Sequence, residues 1–237
     1  ATMDEIQMDP PLTITPQTTI YETLQLMNEY NKQSYGVVNE KGQLMGMVTR
    51  SDISNIGLGD TAVGIQLLKE TKMEDIAKTL KGRVIYDAQT PHFSGSIIAL
   101  TESGLSNYDI KDRMVLLGND VEAQKTAIKM GAGVLVIVWT EYVPEDVVEL
   151  AKEYNCSILI SGHGTMNTSR YLYFSPPVQL IMKKNVISFN IDEFVEDVGK
   201  KMLKTRYRSY PVVDNDNYLK GYAAVCQLKK DYQKAFD

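Results

Sequence analysis

Residues 34–53 read SYGVVNEKGQLMGMVTRSDI, residues 209–228 read SYPVVDNDNYLKGYAAVCQL, and the two align without a gap at an offset of 175. Ser34, Tyr35, Val37, Val38 and Gly46 meet Ser209, Tyr210, Val212, Val213 and Gly221. The register carries upstream, where Leu12, Ile14, Ile20 and Met27 meet Ile187, Phe189, Val195 and Met202. Apolar positions fall on apolar positions throughout, which marks two copies of one supersecondary unit.

Each copy reads as strand, helix, strand, turn, strand, helix. In the first, LTIT (12–15) is a short strand, and Thr18 or Thr19 is suited to cap a helix whose apolar residues Ile20, Leu24 and Met27 recur at spacings of four and three. That helix is expected to end near Asn31. YGVVN (35–39) and QLMGMVT (43–49) are apolar strands joined by Glu40, Lys41 and Gly42, the glycine standing where a turn calls for positive φ. Ser51 is read as the cap of a second helix, with Asp52 in its first turn, where the helix dipole favours a carboxylate. The second copy repeats the plan through VISFN (186–190), DEFVEDVGKKMLKTR (192–206), YPVVD (210–214), a turn at Asp214–Asn217, YLKGYAAV (218–225) and a last helix from Gln227.

Between the copies the pattern changes. TAVGIQLLK (61–69) and MEDIAKTLK (73–81) are helix-like and RVIYDA (83–88) and SIIALT (96–101) strand-like. MVLLG, VEAQKTAIKM, GVLVIVW, PEDVVELAKEY and SILIS then alternate strand and helix from residue 114 to 161. Continuous apolar strands alternating with amphipathic helices predict a mainly parallel sheet covered by helices, and Pro144 suits a first helical position. The expected division is a first copy over 1–60, an inserted α/β domain over 61–172 and a second copy over 173–237.

Composition narrows the function. Basic residues number 25 and acidic residues 30, a net charge of −5, so the overall basic surplus that phosphate-backbone binding draws on is missing and nucleic acid is not expected as a partner. No apolar run reaches the length of a membrane span, and the opening ATMDEIQMDPP has no signal-peptide pattern. Cys156 and Cys226 are two thiols in a chain with 11 methionines, which fits a reducing compartment better than a disulfide framework. A soluble, cytoplasmic protein is the expectation.

On its Pro211-Val212-Val213-Asp214 strand, its glycine-bearing strand and the run GMVTRSDI (46–53), the half-repeat resembles the CBS module. The resemblance implies a Bateman unit, two modules packed by their sheets around clefts that commonly take adenine nucleotides. By its α/β pattern the insert resembles the DRTGG domain, with Asn119, Asp120 and Val121 at the DR position and Val138, Trp139 and Thr140 at the TGG position. The order CBS, DRTGG, CBS is similar to the regulatory region of certain family II, manganese-dependent inorganic pyrophosphatases. His92 and His163 are the only histidines and no DHH run is present, so the catalytic domains are expected outside this chain and manganese only within them. No cofactor is expected in the fragment itself.

The resemblance implies homodimers acting on the catalytic domains of a parent chain, AMP or ADP inhibiting, and ATP or a diadenosine polyphosphate such as the tetraphosphate activating. It also nominates the site. Thr49 and Asp52 are expected to hold the ribose, since a carboxylate accepts from both hydroxyls; Val48 and Ser51 flank them. Phosphates are expected at Lys32, Arg50, Arg206 and Arg208, with Ser34 and Ser209 at the equivalent strand starts. Tyr35 and Tyr210 are candidates for stacking on adenine, against the commoner fate of a core aromatic in a strand. The backbone of Asn185, Val186 and Ile187 is expected at the base. The second copy has Ala224 for Thr49 and Gln227 for Asp52, which predicts one site per chain, its ribose held by the first copy.

Three other signals read as structure. Gly57, Gly59 and Ala62 spell a GxGxxA that follows a helix and not a strand. SGHGT (161–165) reads as a loop after a buried strand, and DNDN (214–217) as a turn without the calcium loop's closing glutamate. Two rival functions stand beside the sensor. One is an enzyme with its site in the insert around SGHGT and His92; the other is a ligand-free dimerisation region.

Overall fold

The computed structural model describes residues 1–58, 61–94, 97–99, 105, 107–205, 207–226 and 228. The chain forms two compact units, one of residues 1–18, 23–53 and 181–237, the other of residues 19–22 and 54–180.

The first copy contributes β1 (Thr13–Ile14), α1 (Ile20–Glu29), β2 (Ser34–Val38), β3 (Leu44–Thr49) and α2 (Arg50–Leu58). Thr19 caps α1: its hydroxyl accepts from the Glu22 N–H at 3.1 Å and donates to the Glu22 carboxylate at 3.0 Å. The helix stops at Glu29, and Asn31 takes φ 52° two residues on. Thr49 caps α2, its hydroxyl accepting from the Asp52 N–H at 3.1 Å while Asp52 Oδ2 accepts from the Thr49 N–H at 2.9 Å. This corrects the expectation of Ser51 as cap: the reciprocal pair needs a hydroxyl three residues ahead of the carboxylate, and Ser51 lies inside the first turn.

The insert runs α3 (Thr61–Lys69), α4 (Met73–Thr79), β4 (Arg83–Tyr86), β5 (Ile97–Ala99), β6 (Met114–Leu117), α5 (Val121–Lys129), β7 (Val134–Ile137), α6 (Glu145–Glu153), β8 (Ser157–Ile160) and α7 (Thr165–Tyr171). Its sheet has the order β4-β8-β7-β6-β5, with β5 to β8 parallel and β4 antiparallel at one edge. β6, β7 and β8 are buried along their whole length, as apolar strands sandwiched between helices should be. One core lies against α5 and α6, around Ala127, Leu135, Val147 and Ile158; the other takes in α4, around Ile76, Leu80, Leu116 and Leu172. Pro144 is the N-cap of α6 and not its first helical residue. Asp120, at the DR position, caps α5 through Oδ1. Trp139, at the TGG position, has φ 61° and is 74% exposed.

The second copy supplies β9 (Phe189–Asn190), α8 (Val195–Met202), β10 (Ser209–Val213) and β11 (Leu219–Ala224). The helix expected from Asp192 begins three residues later, with Phe194 as its cap residue, and Gln227, where the last helix was expected to start, lies outside the described residues. Each copy makes a three-stranded sheet, β1-β2-β3 and β11-β10-β9. Their registers match at the repeat offset: Ser34 pairs Thr49 and Ser209 pairs Ala224, and both ladders shift at the same place, between Val37 and Val38 and between Val212 and Val213.

The copies are joined by contacts of the same kind on both sides. At the hairpin tips, the Leu44 N–H donates to the Asn217 carbonyl at 3.0 Å and the Leu219 N–H to the Gly42 carbonyl at 3.3 Å. Gly42 and Asn217 are equivalent residues in the left-handed region, at φ 88° and 67°. Asn39 Oδ1 accepts from the N–H groups of Lys41 and Gln43, and Asp214 Oδ1 from those of Asp216 and Tyr218, so DNDN is an Asx-type turn. Along the outer sheet edges each copy's incoming strand crosses to the other copy. Lys183 exchanges backbone hydrogen bonds with Met47 at 2.9 and 3.0 Å, and Asp9 with Tyr222 at 2.9 and 3.1 Å. The repeat glycines allow it, because a Cβ on Gly46 would meet the Lys183 carbonyl oxygen at 2.8 Å and one on Gly221 the Asp9 carbonyl oxygen at 2.8 Å.

Candidate functional site

The crossing strands leave a cleft of about 580 Å³ in the unit formed by the two copies, within the usual size range of small-molecule sites. The first copy contributes the end of α1's loop, the start of β2 and the β3–α2 junction, through Lys32, Ser34, Thr49, Arg50 and Ser51. The second contributes Arg208, Ser209 and Tyr210, and the strand entering it contributes Asn185, Val186 and Ile187. Eleven of the residues read from the sequence therefore line one cavity, together with Asp9, Lys183, Tyr207 and Tyr222, which the sequence reading missed.

The cations are held in different ways. Arg50 turns from the helix start towards α1, with Nη1 donating to Asn28 Oδ1 at 2.8 Å and Nη2 to the Lys32 carbonyl at 3.2 Å. Lys32 Nζ is 3.7 Å from Asp9 Oδ2, and Lys183 Nζ is 3.4 Å from Asp52 Oδ1. Arg208 is exposed, and no acid or carbonyl among the described residues holds its guanidinium. Arg206 lies outside the described residues.

Asp52 is only 13% exposed and is not among the lining residues. One of its oxygens is engaged by the Thr49 N–H, and the other faces Lys183. The two aromatic candidates for stacking are corrected. Tyr35 is buried, its hydroxyl donating to the Leu26 carbonyl at 3.0 Å; Tyr210 is buried against Phe189, ring centroids 5.0 Å apart, with its hydroxyl bonded to Thr205. Alternation on a strand sends both rings to the core side of their sheets. Val48 is likewise fully buried and is not among the lining residues. The open apolar walls are Ile187 and Tyr207, 41% and 45% exposed, Tyr207 standing edge-on to Tyr210 at 86°. Tyr222 forms part of the floor. Its hydroxyl accepts from the Gly36 N–H at 2.7 Å and donates to the Leu12 carbonyl at 2.6 Å, and burial pushes its phenol up to about 12.

In the insert, the groups proposed for a rival active site lie apart. His92 bonds Asp112 and the Tyr154 carbonyl in the loops leading into β6 and β8, whereas His163 follows β8 at the sheet's other end. The Ser161 hydroxyl is taken by Thr168 Oγ1 and the His163 N–H. Gly57 and Ala62 sit in α2 and α3, and Gly59 lies outside the described residues. Among the described residues no cluster of three metal-ligating side chains occurs, and no helix is long and apolar enough to cross a membrane.

A two-copy unit with a cleft between the copies and an inserted parallel α/β domain defines a class. The chain carries CBS and DRTGG domains: the CBS model matches residues 3–59 and 178–224, the DRTGG model residues 75–173. Its sequence is similar to part of two inorganic pyrophosphatases. It is 25% identical to the cobalt-dependent inorganic pyrophosphatase of Clostridium perfringens and 24% identical to the probable manganese-dependent inorganic pyrophosphatase of Thermotoga maritima, each match covering 98% of this chain and 43% of the relative. The chain thus spans less than half the length of these relatives. The fold matches, at a TM-score of 0.79 and 24% identity, the CBS and DRTGG domains of the regulatory region of Clostridium perfringens pyrophosphatase, solved with its activator, diadenosine tetraphosphate; 94% of this chain and 99% of that one are covered. A tetratricopeptide-repeat model also matches residues 217–237, but Leu219–Ala224 there is strand β11, not a repeat helix.

Proposed function

We propose that this chain is the adenine-nucleotide-binding regulatory region of an inorganic pyrophosphatase, and that its cleft is the nucleotide site. In this reading Asp52 Oδ1 accepts from the ribose hydroxyls beside Thr49, the base lies between Ile187 and Tyr207 against the backbone of Asn185 and Val186, and phosphates meet Lys32 and Arg208, with Ser34, Ser51 and Ser209 as hydroxyl donors. AMP or ADP restrains the parent enzyme, and ATP or a diadenosine polyphosphate activates it. The chain acts as a homodimer on catalytic domains outside this sequence, where the divalent metal belongs.

The observation that carries this is charge placement. A chain of net charge −5 gathers Lys32, Arg50, Lys183 and Arg208 around one cleft, and a cationic cleft beside a carboxylate and apolar walls suits a ligand with phosphate, sugar and base. The similarity to a regulatory region solved with diadenosine tetraphosphate supports it.

The test is a thermal-shift screen of the chain with AMP, ADP, ATP and diadenosine tetraphosphate. Binding at 100 times Kd stabilises by about 2.7 kcal/mol and should raise Tm by about 5 °C or more. Asp52→Ala should weaken AMP about tenfold or more by calorimetry, the worth of one charge-assisted hydrogen bond. No shift with any of the four would leave a ligand-free dimerisation region as the better description.

A further inference from the structure

Lys183 belongs to no motif. It lies on the strand that enters the second copy, and its backbone is pinned to Met47 by two hydrogen bonds, so its Cα is fixed beside β3 whatever its side chain does. The side chain is 55% exposed, borders the cleft, and places Nζ 3.4 Å from Asp52 Oδ1. That is the oxygen the Thr49 N–H leaves open, and the one a sugar would need. Arg50, although nearer in sequence, is turned away to Asn28 and the Lys32 carbonyl.

We infer that Lys183 is an exchangeable counter-ion: it neutralises Asp52 in the empty cleft and transfers to the ligand's phosphate when the ribose hydroxyls take Asp52 Oδ1. The inference rests on the nucleotide reading given above and adds to it a residue that selects phosphorylated ligands. Three features favour exchange over a fixed ion pair. The 3.4 Å separation and the 55% exposure of the lysine leave its end of the pair open to water. The lysine stem is flexible and its ammonium directionless, so it can follow a new anion without moving the backbone. The carboxylate is largely shielded from water and so needs a donor in either state, which the ammonium supplies in the empty cleft and the ribose hydroxyls in the filled one. A nucleoside without phosphate has to displace Lys183 and offers it nothing in return, whereas a nucleotide supplies both halves of the exchange.

The prediction is therefore a split in sign. Calorimetry compares the intact chain with Lys183→Met and Lys183→Arg, using AMP and adenosine as probes. For Lys183→Met, AMP should weaken about tenfold, as removal of a single charge-assisted hydrogen bond to phosphate requires, while adenosine holds its affinity or gains, because its competitor for Asp52 is gone. Lys183→Arg should keep the preference for AMP. Unfolding midpoints of the variants close to that of the parent chain establish that the Met47 pairing persists. AMP and adenosine weakening together in Lys183→Met, or neither changing, overturns the exchange and leaves the nucleotide site standing. An unmodified chain that binds neither probe sinks the nucleotide reading, and this inference with it.

Discussion

In the first copy the N–H of Gly36 is met by the hydroxyl of Tyr222. In the second copy the equivalent of Gly36 is Pro211, which has no N–H, and the equivalent of Tyr222 is Met47, which has no hydroxyl. At this position the N–H and the hydroxyl that meets it are lost together, so no amide there is left facing an absent partner. The cleft side differs in another way. Thr49, Arg50 and Ser51 face Ala224, Val225 and Cys226 across the repeat, and the entering strand that offers Asn185 and Val186 in one copy offers Pro10 and Pro11 in the other. Two prolines remove two backbone donors, and Asp9, one residue out of the repeat register, makes the backbone contacts here that Lys183 makes in the other copy. The backbone-joining devices are duplicated, while the groups that could grip a nucleotide are concentrated on one side. The duplicated devices thus hold the copies together independently of the groups that line the cleft.

The sharpest way to break this comparison is at the crossing glycines. Gly46→Val and Gly221→Val should each cost about 2–3 kcal/mol, because a side chain there is driven into a backbone carbonyl that cannot yield. Urea unfolding should show similar losses. If one variant is tolerated and the other is not, the two crossings are not equivalent.

Next in size is the asymmetric pair. Tyr222→Phe strips both the Gly36 N–H and the Leu12 carbonyl of their partner and should cost about 1–3 kcal/mol, where Met47→Leu should cost under about 1.5 kcal/mol. Tyr222 also carries a pH signature. Its folded-state phenol is raised from the ordinary 10 to about 12, so its contribution is fully present below pH 10 and is lost as the pH rises through 12. Alkaline unfolding curves of Tyr222→Phe should lack that component, and identical curves for the two proteins would remove the phenol from the account.

The smallest effect concerns the caps. Thr49→Ala should cost about 1 kcal/mol by opening the reciprocal pair with Asp52, while Ala224→Thr should stay within about 0.5 kcal/mol of the parent. Equal effects at both positions would show that Thr49 is not acting as a cap.

The repeat made most of the fold legible, because a residue offset fixes strand register: the matched shifts after Val37 and Val212 sit where the alignment puts them. It was less informative about side-chain direction. Tyr35 and Tyr210 look like ligand aromatics by position, and only the pairing of their strands shows that they face the core. Thr49 and Asp52 stand out in the sequence by their spacing, but their mutual hydrogen bonds do not, since capping and ligand binding ask for the same residue types at the same spacing. Lys183 and Asp9 escaped altogether. They reach the cleft through strands that cross between copies, and the signal available was indirect: glycine at the same place in both copies, Gly46 and Gly221, announces that another backbone passes close by.

That crossing bears on what half of this chain could do alone. A polypeptide ending after α2 would keep β1, β2 and β3 but expose the Met47 N–H and carbonyl that Lys183 now pairs, and bare sheet edges recruit whatever extended chain is available. Such a fragment would be sticky until it met a second one, whose own leading segment could dock in the vacant lane. Tandem duplication supplies that neighbour permanently, within one molecule and at no loss of concentration. It also leaves the stretch between the duplicates at liberty to acquire a domain of its own.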